Sequence, residues 1–189
     1  MLALLYSIFG PVCVHTEFNN VTHYIYMTST AYTLLNPRNV IYDISNNNCL
    51  ITYTINSTGQ IHGRYTVHTL NGHLLEKCNY NNGLCHGVKE TYCVYLGKMT
   101  SQCKYVHGKL HGDVKRWSHN GHLLLHERYN YGVQHGVQER YYLTGIICQR
   151  YTINAGQYDG KYELYDIFGK LTDTYVYNNG QYVSHSKIE

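Results

Sequence analysis

The sequence predicts an all-β protein, an elongated antiparallel sheet of stacked β-hairpin repeats of about 24 residues each. Three observations lead to this prediction: glycines recur in register, aromatic and aliphatic residues hold fixed columns between them, and helix-forming runs are scarce. The 189 residues include 22 tyrosines and only 2 prolines. Tyrosine suits a thin sheet, because its ring packs against cross-strand neighbours while its hydroxyl reaches water.

Three columns of glycine define the repeat. The first recurs at intervals of 24 or 25 residues: Gly59, Gly83, Gly108, Gly132, Gly156 and Gly180. The second follows four residues later: Gly63, Gly87, Gly112, Gly136 and Gly160. The third lies mid-repeat: Gly72, Gly97, Gly121, Gly145 and Gly169. Because glycine tolerates positive φ, each column predicts a sharp turn or a close approach of two backbone segments. The one interval of 25 residues carries its extra residue before Gly97.

The runs between the glycines have the alternation of β-strands. In the run 123–129, Leu123 and Tyr129 share one parity while His126 takes the other, which is the period of a strand. Asn120-Gly121 precedes this run and is a hairpin signal. Each repeat is therefore predicted to be one β-hairpin, and a single hairpin must stack on its neighbours to bury its apolar side.

The repeats also divide the chain. Five complete copies span residues 59–179, and partial copies flank them, so the predicted array covers residues 48–189. Residues 1–47 are predicted to form a β-rich cap, with strand-like runs at 24–27 and 40–42.

The repeat resembles a known family. The word Tyr129-Asn-Tyr-Gly132-Val-Gln-His135-Gly136, followed by an aromatic residue and then Asn-Gly-x-Leu in other copies, is similar to the variant MORN repeat. The resemblance covers roughly residues 48–183, and its strength comes from the number of copies. The extra, closely spaced glycines of the standard MORN unit are missing. The family occurs in bacterial antitoxin-like proteins and in large DNA viruses, so the resemblance is compatible with a viral origin of this chain. The resemblance implies an elongated antiparallel sheet and no shared catalytic residues.

The charge of the chain argues against nucleic acid as a partner. The net charge is +3 with histidine neutral, and no block of Lys or Arg occurs. Basic residues are interleaved with aromatic ones, as at Arg140-Tyr141-Tyr142, a pattern that stacks single-stranded bases in some proteins. With so small a net charge we interpret these residues as solvated strand faces, and nucleic acid is not a predicted partner.

A ladder of histidines raises the question of a metal. Histidine precedes the second glycine in four repeats: His62, His86, His111 and His135. Equivalent positions in neighbouring hairpins lie two strand spacings apart, about 10 Å. Ligand atoms lie only about 2 Å from a bound zinc ion, so adjacent rungs cannot share one. The histidines are predicted to be polar turn residues, and neither a metal nor another cofactor is predicted.

Cysteine usage and the first residues bear on localisation. Cys78 and Cys103 occupy equivalent positions about 10 Å apart, beyond the reach of a disulfide, and no Cys-x-x-Cys occurs. The seven cysteines are interpreted as small apolar strand residues in a reducing compartment, which predicts a cytoplasmic protein.

The apolar run 1–17 is a cap for the first hairpin or a signal peptide; it has no preceding Lys or Arg, which disfavours secretion. Asn20 and Asn56 begin N-glycosylation patterns, which a chain rich in Asn and Thr also produces by chance.

The predicted function is a non-enzymatic repeat scaffold that binds another protein, since no Gly-x-Ser-x-Gly or His-Glu-x-x-His is present. Gly156-Gln-Tyr-Asp-Gly160-Lys161 lacks the full spacing and the Ser/Thr of a phosphate loop.

Trp and Tyr dominate binding hot spots, so the predicted contacts are the aromatic column nine residues after the first glycine: Tyr92, Trp117, Tyr141 and Tyr165. Anionic membrane lipid is the alternative, bound by four cations: Lys89, Lys115, Arg116 and Arg140. An antitoxin-like inhibitor is implied by the family resemblance alone.

Overall fold

The computed structural model describes residues 12–18, 21–27, 39–44, 49–69 and 71–188. All regular structure in these residues is antiparallel β-strand, and the predicted all-β fold of stacked hairpins is confirmed. Nowhere in the described part of the chain does a helix occur that is long and apolar enough to cross a membrane. By its internal contacts the chain divides into two compact units, Met1–Leu84 and Cys85–Glu189.

The first unit is a run of antiparallel strands in which each strand pairs with the next along the chain. Its strands are β1 Val12–Phe18, β2 Val21–Met27, β3 Asn39–Ile44, β4 Cys49–Ile55, β5 Ile61–Thr69 and β6 Leu74–Asn81. The strand-like runs predicted at 24–27 and 40–42 lie in β2 and β3 and are confirmed. The predicted boundary between cap and array, at residue 47, falls inside this unit and stays a prediction. Most of the apolar run 1–17 lies outside the described residues.

The second unit has the same consecutive antiparallel order. Its first five strands are β7 Leu84–Tyr92, which begins at the last residue of the first unit, β8 Met99–Val106, β9 Lys109–Trp117, β10 Leu123–Asn130 and the short β11 Val133–Gln134. The remaining strands are β12 Gly136–Tyr141, β13 Ile147–Asn154, β14 Gln157–Tyr165, β15 Leu171–Asn178 and β16 Gln181–Lys187. Both β11 and β12 pair with β10, on either side of His135.

The first glycine column forms the tight turns between repeats. At Tyr131-Gly132 both turn residues have positive φ, 46° and 92°, which is the type I′ hairpin turn. The N–H of Gly132 then donates a 2.7 Å hydrogen bond to the carbonyl oxygen of Leu110 in the preceding repeat. Equivalent bonds are donated by Gly108, Gly156 and Gly180. Each turn is thus joined to the repeat before it, which gives the period a physical basis.

The third glycine column closes the mid-repeat loops. In the loop 119–121, the N–H of Gly121 donates to the carbonyl oxygen of Ser118, and Ser118 N–H donates to His122. This is the three-residue hairpin loop that ends on a glycine of positive φ. The loop 94–97 is one residue longer, which confirms the predicted place of the extra residue.

The second glycine column marks irregular pairing within the strands. On β9, Leu110 pairs with Tyr105 and Val114 with Cys103, so three residues of β9 bulge opposite a single residue of β8. Gly112 is the central residue of this bulge and has φ of 88°, a value that side chains disfavour.

The buried core is thin. Among residues with described side chains, the buried hydrophobic set is Ile51, Cys78, Cys93, Val114, Tyr151 and Ile153. The prediction that the ladder histidines are turn residues is wrong for His62, His86 and His111, which lie within β5, β7 and β9. The ring of His111 packs on Tyr131 of the next turn, with centroids 4.5 Å apart. Side chains therefore pack mainly along the faces of the sheet, in contacts between neighbouring hairpins.

The cysteines depart from the prediction. Cys78 in β6 and Cys85 in β7 are each disulfide-bonded, so the interpretation of all seven cysteines as unpaired apolar residues is wrong for these two. The spacing of about 10 Å applies only to equivalent positions of neighbouring repeats, and it places no limit on cysteines at different positions. Cys93 and Cys148 are free thiols.

Candidate interaction surfaces of the second unit

One side of the second unit's sheet carries a row of polar and charged side chains that lie opposite one another on successive strands. We call it the charged face, and its central row is Glu90, Gln102, Lys115, His126, Glu139, Arg150 and Glu163. Strands place alternate residues on opposite sides of the sheet, so the residues between these lie on the other face. The row is a consequence of the antiparallel register.

Glu139 is the centre of the best-connected part of this row. Its carboxylate accepts hydrogen bonds from Arg150 Nε at 3.1 Å and from Tyr141 Oη at 2.9 Å, and His126 Nδ1 lies 3.4 Å away. Burial raises the pKa of Glu139, but the bonds from Tyr141 and Arg150 outweigh it and hold the pKa below its usual value. Glu139 therefore remains an anion that neutralises the Arg150 guanidinium beside it.

Asp113 forms a second cluster on the same face. His126 Nε2 lies 2.8 Å from its carboxylate, and Arg128 Nε lies 3.4 Å away. The hydrogen bond from His126 is the main cause that lowers the pKa of Asp113, and Arg128 adds to it. Cations of the charged face are thus matched by carboxylates, and the face lacks the excess positive charge that binds polyanions.

The predicted aromatic column lies at the edge of the charged face. Its members end four strands, directly before the mid-repeat loops: Tyr92, Trp117, Tyr141 and Tyr165. All four are half-buried. Each of the three tyrosines donates its hydroxyl to the glutamate two residues earlier, at Glu90, Glu139 and Glu163. Burial and the bond to Glu139 raise the pKa of Tyr141 to about 12. Trp117 differs, because Lys115 occupies the place of the glutamate.

The four predicted cations do not share a surface. Lys115 lies on the charged face, whereas Lys89, Arg116 and Arg140 are each one residue away from that row and lie on the opposite face. The pKa of Arg140 is raised, chiefly by Tyr151 beside it. The structure brings three of the four cations to one side and leaves the fourth on the other.

The opposite face is a packed ladder of aromatic rings, which we call the tyrosine face. Tyr151 stacks on Tyr162 with ring centroids 5.2 Å apart, Tyr162 meets Tyr175 at 6.2 Å, and Tyr175 stacks on His185 at 4.3 Å. Tyr151 is buried although no second layer covers it in the described part of the chain. This ladder stabilises the sheet by cross-strand packing, and burial raises the pKa of Tyr151 and Tyr162.

A set of large apolar side chains projects from the mid-repeat loops. Tyr95, Leu143 and Phe168 expose 90%, 77% and 84% of their surface, which is far more than any side chain of the aromatic column. Two further members, Leu96 and Ile167, are also exposed. We call these five residues the loop-tip row.

The three loops that carry the row lie along one edge, and the loop 119–121, which carries no tip, lies between the first two. Lys98 Nζ is 3.5 Å from the carbonyl oxygen of Asn120 in the next loop. A Cβ atom built on Gly145 would lie 3.2 Å from His122 Nδ1, and one on Gly169 would lie 3.4 Å from Ile146. Four successive loops therefore touch in sequence along one edge of the second unit's sheet.

Sequence reasoning missed the loop-tip row. The available signal was apolar residues one or two positions before the mid-repeat glycine, as at Leu143 and at Ile167-Phe168, where another copy carries His119-Asn120. Hairpin loops usually carry polar residues there, so an apolar tip is informative. Tyr95, Leu143 and Ile167 do share a column, two residues before the mid-repeat glycine, but its residue type varies and His119 interrupts it, so the column was missed.

The described residues also include one pair with the composition of a nucleophile and its base. His119 Nδ1 lies 3.2 Å from Cys93 Sγ. Cys93 is buried, however, and a nucleophile must meet its substrate. No group of three or more His, Cys, Asp or Glu positioned to hold a metal ion occurs among the residues that the structure describes.

Fold and surfaces together define a β-hairpin repeat protein with an exposed row of apolar loop tips. Neither a family model nor a curated protein matches this chain. The resemblance to the variant MORN repeat therefore stays a prediction that rests on the quoted residues.

Proposed function

We propose that this chain is a non-enzymatic repeat scaffold that binds another protein through the loop-tip row. The observation that supports the proposal is the exposure of Tyr95, Leu143 and Phe168 on loops of the same sheet edge. A single exposed apolar residue is ordinary, but several large ones along one sheet edge are typical of interaction sites. Tyrosine is among the residues that contribute most to binding at such sites.

Loop rigidity supports the same proposal. The Asp166 carboxylate accepts 2.9 Å hydrogen bonds from the backbone N–H groups of Phe168 and Lys170, which fixes the tip in one conformation. In the loop 119–121, Ser118 Oγ accepts the N–H of His122 in the same way. A loop that is ordered before binding loses less conformational entropy when a partner docks.

The predicted aromatic column extends the proposed surface. Because Tyr92, Trp117 and Tyr141 end their strands directly before the loops, they lie at the base of the row. Three tyrosine hydroxyls of the column are already bonded to glutamates, so the tyrosines contribute ring surface. Trp117 is the column member whose ring we expect to contribute most.

Anionic lipid is the second candidate, and the charges beside the tips favour it. Lys98 and Lys170 each follow a tip, while the Asp166 carboxylate is turned onto its own loop. Apolar side chains flanked by cations suit the interface of an anionic membrane. The ion pairs of the charged face, Asp113 with Arg128 and Glu139 with Arg150, disfavour lipid binding on that face. The antitoxin-like role rests on the family resemblance, and the identity of a co-purified partner decides it.

The test compares one triple variant with a matched control. Tyr95→Ser, Leu143→Ser and Phe168→Ser together remove the most exposed tips. The control, Lys109→Ser, Gln157→Ser and Gln181→Ser, changes three exposed residues at the turns between repeats. Affinity purification with mass spectrometry should recover a partner with the wild type and the control but not with the tip variant. Equal recovery by all three proteins would refute the proposed surface.

Vesicle flotation with the same three proteins separates the lipid candidate. Binding to anionic vesicles that is lost in the tip variant, weakens with salt and strengthens from about pH 7.5 to about pH 5.5 would favour lipid, since unperturbed histidine gains its charge in that range. Flat, negligible binding under all conditions would eliminate lipid and leave the protein scaffold.

A further inference from the structure

We propose that Asn56 is an N-glycosylation site and that the chain receives one glycan there in a secretory compartment. The residues Asn56-Ser57-Thr58 fit the acceptor pattern, and the residue between Asn and Thr is not proline. They form the loop between β4 and β5, in which Ser57, Thr58, Gly59 and Gln60 are all exposed. Asn56 itself is half-buried, and the four exposed residues that follow it leave solvent beside the loop into which a glycan can extend.

The hydrogen bonds of Asn56 are compatible with a modified nitrogen. Its Oδ1 accepts three bonds, from Thr58 N at 3.0 Å, Thr58 Oγ1 at 2.7 Å and Gln60 N at 3.0 Å. Its Nδ2 donates one bond, of 2.8 Å, to Asn82 Oδ1. Glycosylation replaces only one of the two hydrogens on Nδ2 and leaves Oδ1 unchanged. The loop thus keeps its three bonds to Oδ1, and the remaining N–H is available to Asn82.

The disulfide-bonded cysteines indicate the compartment. Cys78 and Cys85 are both oxidised, and disulfides persist in the oxidising secretory pathway but are rare in the cytosol. Cys93 and Cys148 are free thiols, and they are buried and half-buried, which protects them. Glycosylation at Asn56 and the cytoplasmic location expected from the sequence exclude one another.

The transfer itself balances with a lipid-linked oligosaccharide pyrophosphate as donor. The Asn56 Nδ2 attacks C1 of the first sugar, so the Nδ2–C1 bond forms. The bond from C1 to the pyrophosphate oxygen breaks, and the lipid pyrophosphate leaves with the electron pair. The amide nitrogen gives up one proton to a base of the transferase.

The experiment expresses the full chain, with its own first residues, in cultured eukaryotic cells and by translation with endoplasmic reticulum microsomes. We expect a slower-migrating form that a peptide N-glycosidase removes, and mass spectrometry should then find Asp at position 56. Asn56→Gln and Thr58→Ala should abolish the glycan at this position, whereas Thr58→Ser should retain it. Asn20→Gln, a change in the other pattern, should leave it in place.

A second arm adds a strong secretory leader to the same chain. If Asn56 is modified only when the leader is present, the chain does not enter the pathway by itself and the proposal is overturned. If Asn56 stays unmodified in both arms, the site is not an acceptor and the proposal is again overturned. Modification with the chain's own N-terminus supports it.

Discussion

The side chain of Gln138 pairs with the backbone of Arg128 as a strand residue would. Gln138 Oε1 accepts the Arg128 N–H at 3.0 Å, and Gln138 Nε2 donates to the Arg128 carbonyl oxygen at 3.1 Å. Gln138 is fully buried, and its Nε2 is also within 3.2 Å of the carbonyl oxygen of Gly136. The amide lies at the irregularity between β11 and β12, where the register with β10 is interrupted and the His135 N–H also donates to the Arg128 carbonyl oxygen, at 3.0 Å.

Gln138→Val should therefore destabilise the fold by about 1–3 kcal/mol, since a buried backbone N–H at Arg128 would lose its partner. Valine is the residue at the equivalent position of the preceding repeat, Val114, so the change introduces no foreign shape. Gln149→Val, at a half-buried glutamine, is the matched control and should cost less. Urea unfolding of both variants measures the difference. If Gln138→Val were as stable as the control, the backbone N–H of Arg128 would not need the Gln138 amide as its hydrogen-bond partner.

Gly136→Val should destabilise the protein by about 1 kcal/mol or more, because a β-branched residue is strained at positive φ. Gly136 has φ of 85°, and a Cβ atom there would meet nothing closer than Arg128 Cδ, at 3.7 Å. The cost should therefore come from the backbone conformation, and Gly136→Asn should be milder because Asn tolerates this region. Thermal melting of both variants beside Val137→Ala is the measurement. A neutral Gly136→Val would show that the second glycine column is dispensable.

Acid should destabilise the fold through Asp113 and Glu139. The folded-state pKa of each carboxyl is lowered. Their stabilising effect is thus complete above the unfolded values of about 4 and is lost as pH falls through the folded values. The double variant Asp113→Asn, Glu139→Gln should show a shallower loss of stability below about pH 4. Urea midpoints measured across that range test this, and identical slopes for both proteins would contradict it.

Alkali should also destabilise the fold, through Tyr141, whose pKa is raised to about 12. A tyrosine with a raised folded-state pKa stabilises fully below its unfolded value of about 10 and loses that effect as pH rises towards 12. In an absorbance titration, part of the tyrosine absorbance change of the folded wild type should occur at higher pH than in the unfolded protein. Tyr141→Phe should reduce the dependence of stability on pH in that window, whereas Tyr182→Phe, at an exposed ring, should not. Equal effects of the two variants would contradict the assignment.

Much of the fold could be predicted from the sequence, because its turns and strand alternation depend on local residue types. Turns such as Tyr131-Gly132 need positive φ, so glycine recurs wherever the turn recurs, and the period is visible. Strand alternation likewise predicts that Lys115 and Arg116 lie on opposite faces.

Other features depend on a single copy or on pairing between strands. Gln138 occupies a position that is Val114 and Tyr162 in the neighbouring repeats, so no repeated residue type predicts its hydrogen bonds to the Arg128 backbone. The link between His126 and Glu139 depends on the register of β10 with β12, which the sequence does not state. Tyrosine and glutamate do recur two residues apart, as at Glu139 and Tyr141, and that pattern was available.

Deletion of one whole repeat is the most direct test that stacked hairpins are the unit of this fold. Removing Gly108–Tyr131 takes out β9, β10 and their loop, keeps the period, and retains Tyr95, Leu143 and Phe168. Since each repeat contacts mainly its neighbours, we predict a folded, shorter protein with a β-sheet circular dichroism spectrum and a cooperative melt. The shorter deletion Gly108–Glu127, which breaks the period, should not fold. An unfolded chain after the whole-repeat deletion would contradict the repeat architecture.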